Sequence, residues 1–298
     1  MERFIKKNTV KANRVKLLQF QGQFHFRKRS LTTALFFLSL TILISSCSDK
    51  EEESPTQTSG KLSIQFSHLI NGQPVQFDTL IYTNEADNPY MINEIQYFIS
   101  DVVLYKSDGS EKTIDDWEDH HYVDTDITST FRWEVYDDIG SGIYDSISFI
   151  FGFKDEKNMS FMFVNPPERD MFWPEYLGGG YHYLKLNGKW LEPDQTIQTT
   201  PFDFHLGRGQ IYYSYPDSIT GFVSNEFRVS LQGSGFIVQP GITTEVTLVM
   251  NIEKWFKEPN IYDHNVYGGY IMQNQDAMEK VKENGHNVFT FLSKEINQ

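Results

Sequence analysis

The chain has 298 residues, with 26 Lys and Arg against 40 Asp and Glu, a net charge of -14, a 15% aromatic share and a single cysteine. The acidic balance excludes a nucleic-acid binder, which needs clustered bases to displace counterions, and the aromatic share excludes a disordered chain. One cysteine excludes an intrachain disulfide and a thiolate zinc cluster.

Residues 1–46 hold nine bases and one acid, Glu2. Arg27-Lys28-Arg29 abuts an apolar run from Leu31 to Ile44, which ends at Ser45-Ser46-Cys47. A basic flank, a short apolar segment and small residues at a cleavage point predict a secretory signal over 1–46, and the run is too short to span a bilayer comfortably. The stretch before Arg27 is long for such a signal and suggests an over-extended start. Ile44-Ser45-Ser46-Cys47 resembles a bacterial lipobox, whose cysteine becomes the acylated first residue. The expectation is therefore a lipid anchor at Cys47 and an outer-membrane lipoprotein, periplasmic or surface-exposed. Ser48-Asp49-Lys50-Glu51-Glu52-Glu53 resembles the export tether of Bacteroidetes lipoproteins. Residues 47–60 read as a polar, flexible acidic linker, and the folded domain is expected over 61–298.

Beyond it the pattern is short strands and turns. Lys61–Phe66 alternates, with Leu62, Ile64 and Phe66 on one face. Gln96–Tyr105 reads as a strand closed by Asp108-Gly109. Tyr144–Phe153 places Ile147, Phe149, Phe151 and Phe153 on one face, and Val246, Leu248, Met250 and Ile252 repeat the pattern. Such period-two runs mark half-buried strands. Tyr181–Leu186, Asn187-Gly188 and Lys189–Leu191 read as a hairpin around a tight primed turn. Gln275–Glu283 reads as a short helix, with Met278 and Val281 inward and Asn284-Gly285 as its stop. The expected fold is all-β, a single antiparallel β-sandwich with long loops and a short C-terminal helix.

Several chemistries find no motif. No nucleotide-binding glycine fingerprint is present, nor a Gly-x-Ser-x-Gly elbow, nor a His-Glu-x-x-His helix. The histidines His68, His120, His121, His182, His205, His264 and His286 remain, and imidazole is a common ligand for copper or zinc. His182 shares strand parity with Leu184 and Leu186, which points it toward the apolar side. A lone strand histidine is more often a hydrogen-bonded structural group than a ligand. The tract Asp115–Asp126 carries six carboxylates, and Asp124-x-Asp126 has oxygen donors for calcium but lacks an EF-hand's glycine and terminal glutamate. Trp173, Tyr176, Tyr181, Tyr183, Tyr212, Tyr213 and Tyr215 either stack on sugar rings or fill the core, and the core claims most of them.

The order of segments carries a resemblance. Phe66-Ser67-His68, Tyr97-Phe98-Ile99-Ser100-Asp101-Val102, His121-Tyr122-Val123-Asp124 and Asp170-Met171-Phe172-Trp173 come first. Gly180-Tyr181-His182-Tyr183-Leu184-Lys185-Leu186-Asn187-Gly188, Phe202-Asp203-Phe204-His205-Leu206-Gly207 and Asn284-Gly285-His286-Asn287-Val288-Phe289 follow. Together, over Lys61–Phe291, they resemble the MbnP-like family of periplasmic copper-binding proteins. The resemblance implies a non-enzymatic β-sandwich holding copper through histidines. It also implies a tryptophan that a di-haem MauG-like enzyme oxidises to kynurenine. Position by position, the implied ligands are His205 first, then His68 and His121, then His182, and Trp173 is the tryptophan to examine. Two departures stand out: Asn187 where Lys-Leu-Glu-Gly is common, and Pro174-Glu175 where tryptophan is commoner. Copper binding through such histidines is expected to weaken near their ordinary pKa of about 6.5. The alternative function is a surface lipoprotein that binds glycans or proteins through exposed aromatics, with no metal.

Overall fold

The computed structural model describes residues 58–297. Cys47, the expected signal and most of the expected linker lie outside the described residues. The linker's last two residues do not behave as linker. Strand β1 starts at Ser59, where Ser59 O accepts from Gly241 N at 2.9 Å and Lys61 N donates to Ile242 O at 3.0 Å.

In chain order the described strands are β1 Ser59–Ile70, β2 Gln73–Pro74, β3 Tyr82–Thr83, β4 Pro89–Lys106, β5 Glu111–Thr113, β6 His120–Asp124, β7 Arg132–Glu134, β8 Ile139–Gly140, β9 Gly142–Phe151, β10 Leu184–Leu191, β11 Thr199–Leu206, β12 Gly209–Ser214, β13 Ser218–Val223, β14 Phe227–Val238, β15 Thr243–Asn251 and β16 Phe289–Asn297. The helices are α1, His264–Tyr267, and α2, Gln275–Val288. One sheet runs β16-β15-β1-β2, with β7 and β8 also on β1. The larger sheet runs β11-β10-β4-β9-β14, with β3, β5 and β6 also on β4, and β12-β13 forms a separate hairpin. The fold is the expected all-β sandwich, with one exception to antiparallel order among the described strands: β1 pairs with β15 in parallel.

Alternation explains the core. Leu62, Ile64 and Phe66 of β1 and Ile147, Phe149 and Phe151 of β9 are buried, as their period-two spacing requires. The two inner faces meet through Phe66 and Tyr97, 6.3 Å between centroids, and through Phe149 and Phe289 at 5.2 Å. Helix α2 buries Met278 and Val281 as expected. Its N-terminus is capped by Asn274, whose Oδ1 accepts from Ala277 N at 3.1 Å.

Two turn signals were overridden by packing. Asn187-Gly188 is no hairpin turn: Leu184–Leu191 is one strand, with a bulge in its pairing to β4 at that dipeptide. The glycine is there for close approach, because a Cβ would lie 2.2 Å from Met91 O and 2.4 Å from Phe202 Cζ. Gly188→Ala is accordingly expected to cost roughly 2 kcal/mol or more, as overpacking does, and to lower Tm in a thermal melt. Asn284-Gly285 likewise does not stop α2, which continues to Val288. Gly285 faces the Phe227 ring, and buried Asn284 spends its amide on Trp255 O and Asn260 O, both at 2.8 Å.

Candidate metal centre

Register sorts the histidines by sheet face. Lys185 of β10 lies opposite His205 of β11 and Gln96 of β4, and Gln96 lies opposite Asp124 of β6. Directly paired residues share a face, so His205, Lys185, Gln96 and Asp124 form one row. His121 is paired with Ile99, of opposite parity to Gln96 in an unbroken stretch, and therefore projects from the other face. His68 is on the same inner side, its Nε2 3.2 Å from the hydroxyl of core residue Tyr97. His121 Nε2 donates to Thr130 O at 2.8 Å, and its ring is sandwiched between Phe66 at 5.3 Å and Trp133 at 5.2 Å. The sheet thus separates the four implied ligands into two pairs, and His68 and His121 are held as packed, hydrogen-bonded core groups.

His182 joins His205. Their ring centroids are 5.0 Å apart and perpendicular. Parity had pointed His182 toward the apolar core, but β10 begins only at Leu184 and a bend at Tyr183 ends the alternation. The chain segment over this face supplies the rest. Met171 O accepts from His182 N at 2.7 Å and from His182 Nδ1 at 2.9 Å. Trp173 is fully buried, with its ring 4.7 Å from that of His182 and its Nε1 donating to Leu177 O at 3.2 Å. Gly207 makes room for it, since a Cβ there would meet the indole at 2.5 Å.

The hydrogen bonds fix both tautomers. A carbonyl oxygen can only accept, so His182 Nδ1 carries the proton and Nε2 keeps its lone pair. Asn187 Nδ2 donates to Glu94 Oε2 at 3.0 Å, which turns Asn187 Oδ1 toward His205 Nε2 at 2.8 Å. His205 Nε2 is then the donor, and Nδ1 keeps the lone pair. Those two lone-pair nitrogens, His182 Nε2 and His205 Nδ1, are buried and have no hydrogen-bond partner. Buried polar atoms are normally satisfied, and a ligating histidine normally donates its other ring N–H to a fixed acceptor. Both conditions of a ligand pair are met.

Charge supports the same reading. Burial drives His182 well below its ordinary pKa, with the neighbouring His205 and Lys185 adding to the effect. Burial, then Lys185, lowers His205 to about 3. Both rings are neutral lone-pair donors at pH 7, and protonation does not begin near 6.5 as an exposed imidazole's would. Lys185 is itself lowered by burial, and its Nζ donates to Asp170 O at 2.7 Å, tying down the segment that holds His182. Among the described residues, no cluster of three or more His, Cys, Asp or Glu donors within 4.8 Å of one another contains a histidine. The pair offers two imidazole nitrogens, with no third donor of these types gathered on them among the described residues. Asp124 and Asp126 do gather with Glu94, but Asp124 is already bonded by Gln96, Tyr122 and the Asp126 amide.

A model of the family MbnP matches residues 59–274. The chain belongs to the MbnP family. The match begins at the first residue of β1 and stops before α2, so it is shorter than the expected resemblance through Phe291. Comparison with curated protein sequences returns no match. Among solved structures, MbnP from Methylosinus trichosporium is similar at 15% identity, covering 68% of this chain and 79% of that one, with a TM-score of 0.45. Membership of the MbnP family places the chain among envelope or secreted proteins associated with copper.

Sequence reasoning quoted Met171, Asn187 and Gly207 inside longer segments, Asn187 also as a departure from the family pattern, but gave none of them a role beside the histidines. Asn187 was read as part of a turn with Gly188, which hid its position in the strand beside His205. It also missed that His264 is fully buried with neither ring nitrogen bonded, inside Trp190, Phe202, Phe256 and Tyr262.

Proposed function

We propose that the chain is a lipid-anchored envelope protein that holds one copper ion, in the monovalent state, between His182 and His205. One observation carries this reading: two adjacent, buried, neutral imidazoles, each locked in one tautomer, present lone-pair nitrogens with no partner. Imidazole suits copper and zinc, but structural zinc takes four ligands and catalytic zinc takes three from the protein. Two nitrogens beside a lysine cation suit a singly charged soft ion of low coordination number better than a divalent one. His68 and His121 are assigned to the core.

The test is metal uptake. Protein purified under reducing conditions is expected to bind one copper per chain and to keep it in the presence of excess zinc. Equal retention of zinc, or no copper at neutral pH, defeats the proposal. The anchor rests on the lipobox-like Cys47 and is tested by detergent partitioning, which Cys47→Ser should abolish. Within the same proposal, Trp173 is the residue whose oxidation to kynurenine by a di-haem MauG-like partner would border the copper ligand His182. Unmodified Trp173 in protein made by its own host would end that part of the reading.

A further inference from the structure

Two clefts on the molecule differ in chemistry. An open one of about 510 Å³ beside His121 is charged, with Glu118, Glu134 and Glu168 opposing Arg132. Another, of about 380 Å³, has no charged residue in its lining, although the chain carries 40 carboxylates. Tyr176, Tyr215, Tyr267 and Tyr270 form its walls, with Gln273 and Asn274 among the remaining residues. Its size is in the range of small-molecule sites.

Three separate pieces of chain bring these tyrosines together. Tyr176 sits in the turn Glu175–Leu177, Tyr215 at the tip of the β12-β13 hairpin, Tyr267 in α1 and Tyr270 just after it. The rings are braced from behind. Tyr215 packs edge-on to Tyr212 at 5.1 Å, and Gln273 Nε2 donates to the Tyr212 hydroxyl at 3.1 Å. Tyr267 stacks on buried Tyr262 at 4.8 Å. The backbone at Tyr270 is tied to β11, with Asp203 N donating to Gly269 O at 2.6 Å. Yet Tyr176, Tyr215 and Tyr270 are 69%, 67% and 67% exposed. No hydroxyl of the four lining tyrosines bonds a described residue. The Asn274 amide nitrogen is also free, because only its oxygen is used in capping α2.

Rigid aromatic faces cost little entropy to engage, and a concavity of exposed rings marks a binding surface. The occupant must match apolar faces edged by hydroxyl and amide groups, with no charge of either sign. A purely apolar ligand would leave the hydroxyls and amides unmatched, and an ion would find no counter-charge. A pyranose ring has the required character: C–H faces for stacking and hydroxyls around its rim. We propose that this cleft binds a neutral carbohydrate, with sugar faces on the tyrosine rings and sugar hydroxyls bonded to Gln273, Asn274 and the phenols. The site is separate from the histidine pair. Neither His182 nor His205 lines the cleft; the nearest link is Leu177, which lines it beside Tyr176 and whose carbonyl accepts from the Trp173 indole.

The experiment screens purified full-length protein, with chelator present, against an array of neutral oligosaccharides, then titrates the best binder by calorimetry. Saturable binding of at least one neutral glycan is expected, unchanged by copper. Tyr270→Ala and Tyr215→Ala should each weaken it about tenfold or more, the loss of one stacking face of about 1.4 kcal/mol. These are surface residues, so Tm should hold. Tyr213→Ala, at an exposed position outside the cleft lining, should change nothing. The inference is overturned if no neutral glycan binds, if binding survives both cleft substitutions, or if only proline-rich peptides or anionic glycans occupy the cleft. Because metal is removed, none of these outcomes depends on the copper reading.

Discussion

Replacing His205 with glutamine or alanine is expected to abolish copper uptake while the protein remains folded, and the same changes at His182 should do likewise. With only two nitrogens in the site, losing either leaves a single donor. Competition against a chromophoric copper(I) chelator reads the loss, and circular dichroism confirms the fold. Asn187→Ala should behave differently. It touches no metal but holds the tautomer of His205, and removing such an outer partner typically costs roughly 10–100-fold in affinity. His68→Ala and His121→Ala, on the opposite face of the sheet, should lower Tm and leave copper stoichiometry at one. Full copper retention by either His182 or His205 variant, or loss of copper in the His68 or His121 variant, would relocate the site.

Mild acid should unfold the protein well above the pH at which the buried imidazoles themselves would titrate. Burial lowers His68 and His121 to about 4, His205 and His264 to about 3, and His182 well below 6.5. These groups stay neutral in the fold, whereas the unfolded chain takes up their protons below about 6.5. Stability from this source is complete above that pH and falls as pH drops toward the folded values. At pH 5 each of His68, His121, His205 and His264 costs about 2 kcal/mol, from about 1.5 units at 1.36 kcal/mol each. Those four together, about 8 kcal/mol, rival the 5–15 kcal/mol that holds a typical domain, and His182 adds in the same direction. A pH titration followed by tryptophan emission should therefore show one cooperative transition between about pH 6 and 4, with copper released in the same step. His264→Phe should shift its midpoint to lower pH and raise Tm, because two unpartnered nitrogens leave an aromatic enclosure. An unchanged midpoint would mean that this imidazole is not held neutral.

Much of the fold was legible because alternation is a local property. The β1, β9 and β15 strands and the inward residues of α2 follow from which neighbours are apolar. The two failures share a cause. Asn187-Gly188 and Asn284-Gly285 have the composition of a turn and a helix stop, but each glycine answers a distant ring, Phe202 in one case and Phe227 in the other. Local propensity says nothing about a ring that approaches from elsewhere in the chain. The site was half legible for the same reason. Histidine identity marked His182 and His205 as candidates, but identity also marked His68 and His121, whose register turns them to the other face.

The sequence by itself determined an acidic, strand-rich chain with a lipobox-like cysteine, a fold without thiolate chemistry and a set of imidazoles as its metal-binding resource. These depend on residue type and short-range periodicity, which survive in a linear reading. Only the tertiary structure decided which imidazoles meet. It broke the alternation at Tyr183, so that His182 turned toward His205, and it gave each ring one fixed acceptor and the other nitrogen none. It also gathered four tyrosines from three segments around a cleft free of charge. Such convergence is a matter of long-range packing, where the free energy of burial outweighs any preference encoded between neighbours.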